Sequence, residues 1–340
     1  MDKLYFKEAV KRILKLTFFA LLAILIGFGV YMFTGKSEPA SHIDFGLTFS
    51  QKFADEMKID WKAAFLAMLD DLGVRKVRLI AYWNKIEPEE GEYFFDDLDW
   101  QVEEAAKRGS TIILAVGERL PRWPECHTPG WANGLETEQK QEKIKQLITK
   151  IVEHYRENTA IIAWQVENEP FLTHFGECPE FDEEFLEAEV ALVRQLDFKG
   201  RPVILTASGE LSLWTPPAKL ADVLGTSLYR KVWIKKLGYF QYPIPPVFYY
   251  KRAKLVKWLT GVKKIFIIEL QAEPWSRRMI YEISPKEREK SMNPDRFRDI
   301  IDYTYQTGFD EAYLWGVEWW YQDAQREGGG MWRAAKRLWR

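Results

Sequence analysis

Strand and helix patterns alternate eight times along this 340-residue chain, beginning near residue 43. The strand patterns are short apolar runs rich in branched residues, as expected for strands buried on both faces of a parallel sheet. The helix patterns carry apolar residues at three- and four-residue spacing, and several of them end at glycine. The predicted strands are residues 43–49, 76–82, 111–116, 161–166, 202–207, 221–228, 264–270 and 311–317. Eight strands alternating with helices predict an α/β fold, a (β/α)8 TIM barrel.

The sixth strand is the least regular of the eight, and residues 231–246 are predicted to be a long loop. The main alternative fold is a doubly wound open sheet, which usually carries a glycine-rich turn after its first strand. Here the first strand is followed by Thr48-Phe49-Ser50 instead. The barrel is therefore the preferred interpretation.

The N-terminus carries a candidate membrane anchor. Residues 16–33 form an 18-residue run without a charge, which reaches the approximate length of a membrane span. The positive-inside bias of the basic residues before this run predicts a cytoplasmic N-terminus. A cleaved signal peptide is the alternative, but its apolar region is usually about 7–15 residues, and residues 34–39 make a poor cleavage site. The predicted segments are a basic cytoplasmic N-terminus at 1–15, a transmembrane anchor at 16–33, a linker at 34–42 and an extracytoplasmic barrel domain at 43–340.

Composition narrows the classes of partner. The formal net charge is −2 and no basic stripe interleaved with aromatics is present, so no nucleic-acid partner is expected. The chain contains 15 Trp, 15 Tyr and 21 Phe, and several tryptophans fall in predicted loops or at strand ends. Flat rings with a polar edge suit the faces of sugars, although clefts for other ligands use them too.

The two cysteines, Cys126 and Cys178, lie in the predicted loops after the third and fourth strands. Outside the cytoplasm such a pair can form a disulfide. His127 and His174 lie close to them in sequence, which raises a zinc alternative, but the spacing matches no strong metal motif. We therefore rank a disulfide first, free thiols second and a metal third, and we expect neither a metal nor another cofactor.

Two acidic residues end predicted buried strands. The fourth strand runs into Asn168-Glu169-Pro170, where the proline ends the ladder, and the seventh strand ends at Glu269. Buried acids at strand ends are costly unless they meet a cleft, a partner or a substrate. In a TIM barrel this end of the strands carries the active site. Glu169 and Glu269 are therefore predicted to be a catalytic pair, with Glu273 as an alternative to Glu269.

Residues 164–170, WQVENEP, resemble the acid/base strand of clan A glycoside hydrolases, and Glu269 resembles their nucleophile at the end of the seventh strand. Residues 78–99 resemble the second strand and following loop of family 42 and related members of the clan. The resemblance covers residues 45–320 and implies a retaining glycoside hydrolase that cleaves a β-linked glycan or glycoside by a two-glutamate mechanism. Its implied partner is a poly- or oligosaccharide substrate, with Glu169 as general acid/base and Glu269 as nucleophile.

The resemblance also implies roles for four supporting residues. Asn168 would hydrogen-bond the 2-hydroxyl of the sugar, and Arg78 would pair with Glu269. Tyr229 would donate a hydrogen bond to Glu269, and Trp315 would be a platform beneath the bound sugar.

Two positions depart from the family 5 pattern. Members of family 5 usually carry a histidine near the end of strand three and His-x-Tyr at strand six, whereas residues 115–118 and 227–229 here read AVGE and SLY. The Gln-x-Glu-Asn-Glu pattern is closer to clan families that act on galactosides. The alternatives to a glycosidase are a barrel that binds surface glycan without cleaving it, and a metal-dependent hydrolase. A pure binder has no need of two carboxylates, and no His-x-His follows a strand.

Overall fold

In a computed structural model that describes residues 2–326 and 328–339, the chain from residue 44 onward forms a closed barrel of eight parallel strands. The strands are β1 (Asp44–Thr48), β2 (Lys76–Ile80), β3 (Thr111–Val116), β4 (Ile161–Val166), β5 (Val203–Ala207), β6 (Val223–Leu228), β7 (Lys231–Ile234), β8 (Gly238–Gln241), β9 (Lys264–Gln271) and β10 (Glu311–Trp315). The ring order is β1-β10-β9-β6-β5-β4-β3-β2, and β1 pairs with β10 to close it. The predicted TIM barrel is confirmed.

The helices lie outside the strand ring, the first of them before β1 and the others in the connections between ring strands or after the last of them. They are α1 (Asp2–Phe33), α2 (Gln51–Glu56), α3 (Trp61–Asp70), α4 (Trp83–Ile86), α5 (Asp96–Lys107), α6 (Thr137–Tyr155), α7 (Glu183–Leu196), α8 (Thr215–Leu220), α9 (Pro246–Thr260), α10 (Pro285–Arg288), α11 (Pro294–Gln306), α12 (Val317–Arg326) and α13 (Gly330–Ala335). Side chains cap several of their first turns: Asp60, Asp182 and Asn293 each accept a hydrogen bond from a backbone N–H of the helix that they precede.

The barrel interior is apolar at its base and polar at the end where the strands finish. Six side chains fill the base, each of them 4% exposed or less: Ile113, Ala163, Ile204, Phe266, Ile268 and Tyr313. The strand residues between them, such as Ile112 and Ile267, point outward into the larger core beneath the helices. This alternation is the period-two pattern of a strand, and it leaves the carboxyl ends of β2, β4 and β9 to carry the inward polar side chains.

Two sequence predictions about element boundaries are wrong. Residues 231–246, predicted as a long loop, contain the antiparallel hairpin of β7 and β8. The eighth ring strand ends at Trp315 rather than at residue 317, and α12 begins at Val317, inside the segment predicted as strand. Positions 1, 327 and 340, which fall in the predicted N-terminal segment and barrel domain, lie outside the described residues.

Helix α1 precedes the barrel; its residues 10–28 are exposed, and Met32 near its C-terminal end is buried. Within residues 6–33, the most apolar 18-residue window has a mean hydropathy of 2.4, and none of that window is buried. The helix is long and apolar enough to cross a membrane, a test that a signal sequence also passes. Its C-terminal end contacts α9: Lys251 Nζ donates to the carbonyls of Tyr31 and Thr34, and the rings of Phe33 and Phe248 lie 4.8 Å apart.

Candidate active site

A β-bulge directs Glu269 into the barrel. Against β6, Thr226 pairs with Ile267 but Ser227 pairs with Glu269, so β9 contains one extra residue. The pairing of β9 with β10 shifts at the same place. Since Ile268 already points inward, simple alternation would turn Glu269 outward, and the extra residue brings its carboxylate back to the inside.

Arg78 connects Glu269 to β4. Its guanidinium is fully buried and donates from Nη1 to Glu269 Oε1 at 2.8 Å, from Nη2 to Asn168 Oδ1 at 2.8 Å and from Nε to Gln165 Oε1 at 2.7 Å. Three fixed donors therefore set the positions of a carboxylate and two amides at once.

Tyr229 lies on the other side of the Glu269 carboxylate. Its hydroxyl is 3.4 Å from Glu269 Oε2 and donates to it. Burial raises the pKa of Tyr229 well above its usual value, so the phenol keeps its proton. Glu269 thus has a cation at one oxygen and a neutral donor at the other, which fixes its orientation.

Glu169 has the opposite surroundings. It follows β4 with a left-handed backbone, φ +45°, and its N–H donates to Thr206 Oγ1 at 2.6 Å. Among the described residues its Oε1 is buried without a hydrogen-bond partner. Burial, and then the negative charge of Glu269, raise the pKa of Glu169 well above its usual value. A carboxyl that keeps its proton beside an ionised one is the arrangement that general acid catalysis requires.

Trp315 lies at the end of β10 and is 6% exposed. Its Nε1 donates to Glu273 Oε1 at 2.8 Å, and the Arg122 guanidinium stacks 4.1 Å from its ring centre. One face of the Trp315 ring is therefore occupied by the Arg122 guanidinium.

Glu273, the alternative to Glu269, lies in an ion-pair network. Arg122 donates to Glu273 Oε1 at 2.5 Å and to Glu318 Oε2 at 2.9 Å, and Glu318 also accepts from the backbone N–H of Ser50 at 2.5 Å. Both acids are thus bound to one cation. Among the described residues Glu273 Oε2 has no hydrogen-bond partner, and Glu269 rather than Glu273 is the acid whose charge contributes most to the raised pKa of Glu169.

Glu125, in the loop after β3, belongs to the site but was not among the predicted site residues. Its carboxyl accepts a hydrogen bond from Asn168 Nδ2 at 3.0 Å and is 6% exposed. Burial, and then the charge of Glu269, raise the pKa of Glu125 to about 8. The adjacent Cys126 forms a disulfide with Cys178, the arrangement ranked first from the sequence. The neighbouring Cys126 is the only local sequence feature that could have drawn attention to Glu125.

The histidine next to Cys126 has contacts that are typical of a structural residue. His127 is buried, and its Nε2 lies 3.2 Å from the carbonyl of Leu120. Burial lowers the pKa of His127 to about 4, so the ring is neutral near pH 7. Within the described part of the chain, no group of three or more His, Cys, Asp or Glu side chains is placed to hold a metal ion.

The first half of the barrel matches a known family. The model of the family Cellulase (glycosyl hydrolase family 5) matches residues 45–220, a little over half of the chain. The matched segment contains Arg78, Asn168 and Glu169, whereas Tyr229, Glu269 and Trp315 lie beyond it. The expected membership of clan A glycoside hydrolases is confirmed. The lack of the histidines that family 5 usually carries at strands three and six does not exclude it.

Two curated relatives share parts of the sequence. Beta-galactosidase BgaA of Clostridium cellulovorans is 27% identical over 168 residues, which cover 44% of this chain and 25% of that protein. Beta-galactosidase BbgII of Bifidobacterium bifidum is 30% identical over 122 residues, which cover 31% of this chain and 18% of that protein. The matched part of this chain therefore spans at most a quarter of these relatives.

Solved structures share the fold at low identity. A β-galactosidase from Bacillus circulans sp. alkalophilus has a TM-score of 0.58 at 14% identity, covering 89% of this chain and 56% of that one. The exo-β-1,4-mannosidase Op5Man5 from Opitutaceae bacterium strain TAV5 has a TM-score of 0.56 at 14% identity, covering 84% of this chain and 53% of that one.

Proposed function

The chain belongs to the cellulase family, glycosyl hydrolase family 5, and on that premise we propose that it is a retaining glycoside hydrolase acting on a β-linked glycan or glycoside. The observation that carries the proposal is the pair of unlike carboxyls at the ends of β4 and β9. Glu269 is bound to Arg78, while Glu169 is buried with a raised pKa and one oxygen unpartnered. Two carboxyls with opposing environments are what acid/base and nucleophile roles need.

In the first step the Glu269 carboxylate attacks the anomeric carbon, and a bond from C1 to a Glu269 oxygen forms as the glycosidic C1–O bond breaks. Glu169 gives its proton to the departing oxygen, so the aglycone leaves as an alcohol. In the second step Glu169, now a carboxylate, takes a proton from water while the water oxygen attacks C1. The bond from C1 to the Glu269 oxygen breaks as the bond from C1 to the water oxygen forms, so the sugar is released and both glutamates return to their starting forms.

Asn168 and Trp315 would contribute to binding. Arg78 and Glu125 hold the Asn168 amide at both ends, and one of its N–H groups remains for the sugar's 2-hydroxyl. The face of Trp315 that does not meet Arg122 would pack against the sugar ring. Because both curated relatives are named β-galactosidases and one fold neighbour a β-mannosidase, aryl β-galactosides and β-mannosides are the first substrates to test.

The test is aryl-glycoside hydrolysis by Glu169→Gln and Glu269→Gln variants, with Glu153→Gln on the exposed face of α6 as the matched control. Each site variant should lose roughly 100-fold or more in kcat/KM, because general acid–base catalysis alone contributes about that much. Azide should restore release of an activated aglycone by the Glu169 variant, since it can replace water at the glycosyl-enzyme. A near-normal rate in either variant would refute the catalytic role assigned to that glutamate. Glycan binding by the wild type without any aglycone release would support the binding-barrel alternative instead.

We also propose that α1 anchors the barrel in a membrane, with segment 1–15 in the cytoplasm, 16–33 spanning, 34–42 as linker and 43–340 as the extracytoplasmic catalytic domain. Support comes from the exposed apolar surface of α1, the lysines and arginine that precede its apolar run at 16–33, and the disulfide, which favours an oxidising compartment. The protein should stay in membranes after a carbonate wash and keep its full intact mass. A mature chain that begins after residue 33 would establish a cleaved signal sequence.

A further inference from the structure

The Asn168 amide is held at both ends by groups of opposite character. Its Oδ1 accepts from Arg78 Nη2 at 2.8 Å, and its Nδ2 donates to Glu125 Oε2 at 3.0 Å. Rotating the amide by 180° would place its NH2 against the guanidinium and its oxygen against the carboxyl. Both contacts would then be lost, so the two partners together fix the orientation.

An amide nitrogen has two hydrogens, and Glu125 uses one of them, so a single N–H of Asn168 remains for a ligand. Resting on the proposed function, we propose that Glu125 is a positioning residue that aims this N–H at the C2 hydroxyl of the bound sugar, and that the Cys126–Cys178 disulfide keeps Glu125 in place. The site would therefore select glycosides that carry a free hydroxyl at C2.

Glu125 lies on a loop whose backbone is unusual. Arg122 and Glu125 both have positive φ, +88° and +75°, in a region that residues other than glycine adopt at a cost. Such conformations persist only where surrounding contacts impose them. The loop is accordingly clamped to the segment after β4.

The clamp is made of hydrogen bonds to backbone carbonyls of the two loops, three from the side chain of Arg119 and one from a backbone N–H. Arg119 donates to the carbonyls of Asn168, Leu172 and Phe175 at 2.8, 3.0 and 2.8 Å. The N–H of Glu177 donates to the carbonyl of Pro124 at 2.9 Å. These four bonds join the segment that follows β4 to the segment that carries Glu125.

Gly176 and the disulfide complete the clamp beside Glu125. A Cβ at position 176 would lie 2.9 Å from the Glu125 Cβ, and the φ of +87° there favours glycine. Cys126, the next residue after Glu125, is covalently bound to Cys178, with the two Cα atoms 5.2 Å apart. The Cys126–Cys178 disulfide therefore fixes the backbone beside Glu125 to the loop after β4.

Folding alone does not explain a carboxyl at this position. Glu125 is buried close to Glu269 and Glu169, and its nearest cations, Arg119 and Arg78, direct their donors to other acceptors. A buried carboxyl without a direct cationic partner lowers stability. Within the part of the chain that the structure describes, the side-chain hydrogen bond that Glu125 accepts comes from Asn168, which points to a role at that amide.

The test compares the aryl β-glycoside that the wild type cleaves best with its 2-deoxy counterpart. The ratio of the two kcat/KM values reports the contribution of the 2-hydroxyl. Glu125→Ala should lower kcat/KM for the 2-hydroxy substrate by about 10- to 100-fold and change it little for the 2-deoxy substrate, because only the first uses Asn168. Glu125→Gln should keep the ratio within about threefold of wild type, since its amide oxygen still accepts from Asn168. Glu180→Ala, an exposed position in the neighbouring segment, should leave both rates unchanged.

The disulfide is tested on the same two substrates. Reducing the wild type, or replacing both cysteines by serine, should lower the ratio in the direction of Glu125→Ala, and reductant should have no further effect on the double-serine protein. Thermal melts show whether each variant is folded. A ratio unchanged in Glu125→Ala, or an equal loss on both substrates, would overturn the positioning role. A wild type that cleaves neither substrate would instead refute the proposed function itself.

Discussion

Arg78 shows at the scale of one residue why this site needs an arginine. Its three donors reach three different acceptors from β4 and β9, and the side chain is fully buried. A lysine carries the same charge, but it concentrates its donors on one atom and cannot span these acceptors.

We therefore expect Arg78→Lys to lower kcat/KM by roughly 100-fold, the scale of loss that a displacement of about 1 Å at a reacting centre produces. Steady-state kinetics on an aryl β-glycoside measures the loss. Arg194→Lys is the matched control, because Arg194 makes a half-exposed ion pair with Asp222. A loss of less than about threefold at position 78 would contradict the role of the guanidinium fork.

Gly117 is a second position where residue identity is dictated by its surroundings. It directly follows β3 with a φ of +124°, and a Cβ there would overlap Glu167 Oε1. That carboxylate accepts from the backbone N–H groups of Glu118 and Arg119 at 2.7 and 2.6 Å. Glycine thus lets Glu167 hold the start of the loop that carries Glu125.

Gly117→Ala should lower the free energy of unfolding by about 3 kcal/mol, since overpacking and backbone strain each cost about 1–3 kcal/mol. Urea unfolding measures the change. Gly109→Ala is the control, because Gly109 also has positive φ, +69°, but has open space around its Cβ position; it should cost about 1 kcal/mol. Equal losses at the two positions would show that the contact with Glu167 carries no weight.

At this scale the sequence singles out Glu169 and Glu269 as candidates, because each acid stands at the end of an apolar run; their catalytic roles stay a prediction. The sequence could not predict Glu125. That residue reaches Asn168 only through the path of the loop after β3, which depends on the disulfide and on Arg119 bonding to carbonyls over fifty positions away in sequence.

Among the elements, β9 shows what strand periodicity predicts and what it leaves out. Its apolar composition marked the strand correctly to within one residue, ending at Gln271. Strict alternation, however, places Ile268 and Glu269 on opposite faces. The bulge that turns Glu269 inward is visible only in the pairing with β6 and β10.

Two other elements were missed for related reasons. Hairpin β7–β8 is partly exposed on both faces, so it has no clean alternation of apolar and polar residues. Helix α12 begins with apolar Val317, Trp319 and Trp320 just after β10, and these resemble a continuing strand. The break lies at Gly316, whose φ of +115° turns the chain.

Helix α11 offers a test of local capping. Asn293 Oδ1 accepts from the N–H of Arg296 at 3.0 Å, which satisfies one of the free N–H groups of the first turn. Asn293→Ala should lower the free energy of unfolding by about 1 kcal/mol. Asn133→Ala, at an exposed position, should stay within about 0.5 kcal/mol of wild type in the same urea titration. A change at position 293 no larger than at position 133 would mean that the cap contributes nothing measurable.

Across the whole molecule, buried carboxyls with raised pKa values set how stability depends on pH. Burial is the largest cause of the raised pKa in each of three glutamates: the pKa is about 8 for Glu125 and about 7 for both Glu167 and Glu210. An unfolded glutamate titrates near 4.5. Between these limits the folded protein binds more protons than the unfolded chain, so stability falls as pH rises.

The free energy of unfolding should therefore be lower at pH 8.5 than at pH 5.5 by about 3 kcal/mol or more, since a pKa that differs by one between the folded and unfolded states corresponds to about 1.36 kcal/mol. Calorimetric melts in detergent across this range measure it. Glu125→Gln should flatten the curve toward pH 8, because glutamine does not titrate. Stability that rises steadily from pH 5.5 to 8.5 would contradict the assignment. Carboxyls with a lowered pKa, such as Asp70 hydrogen-bonded to Arg108, affect stability only at lower pH.

The pairing of β1 with β10 has a consequence for how the protein is made. Asp44 lies opposite Glu311. The first ring strand to be synthesised, β1, therefore cannot pair along this edge until the last one, β10, has been synthesised. Until then β1 and β9 each present a row of unpaired N–H and C=O groups, which invites pairing with strands of other chains. Closure must also bring together distant parts of the chain, which slows folding. Nascent chains that stop short of residue 311 should therefore accumulate as clients of chaperones rather than as shorter, active enzymes.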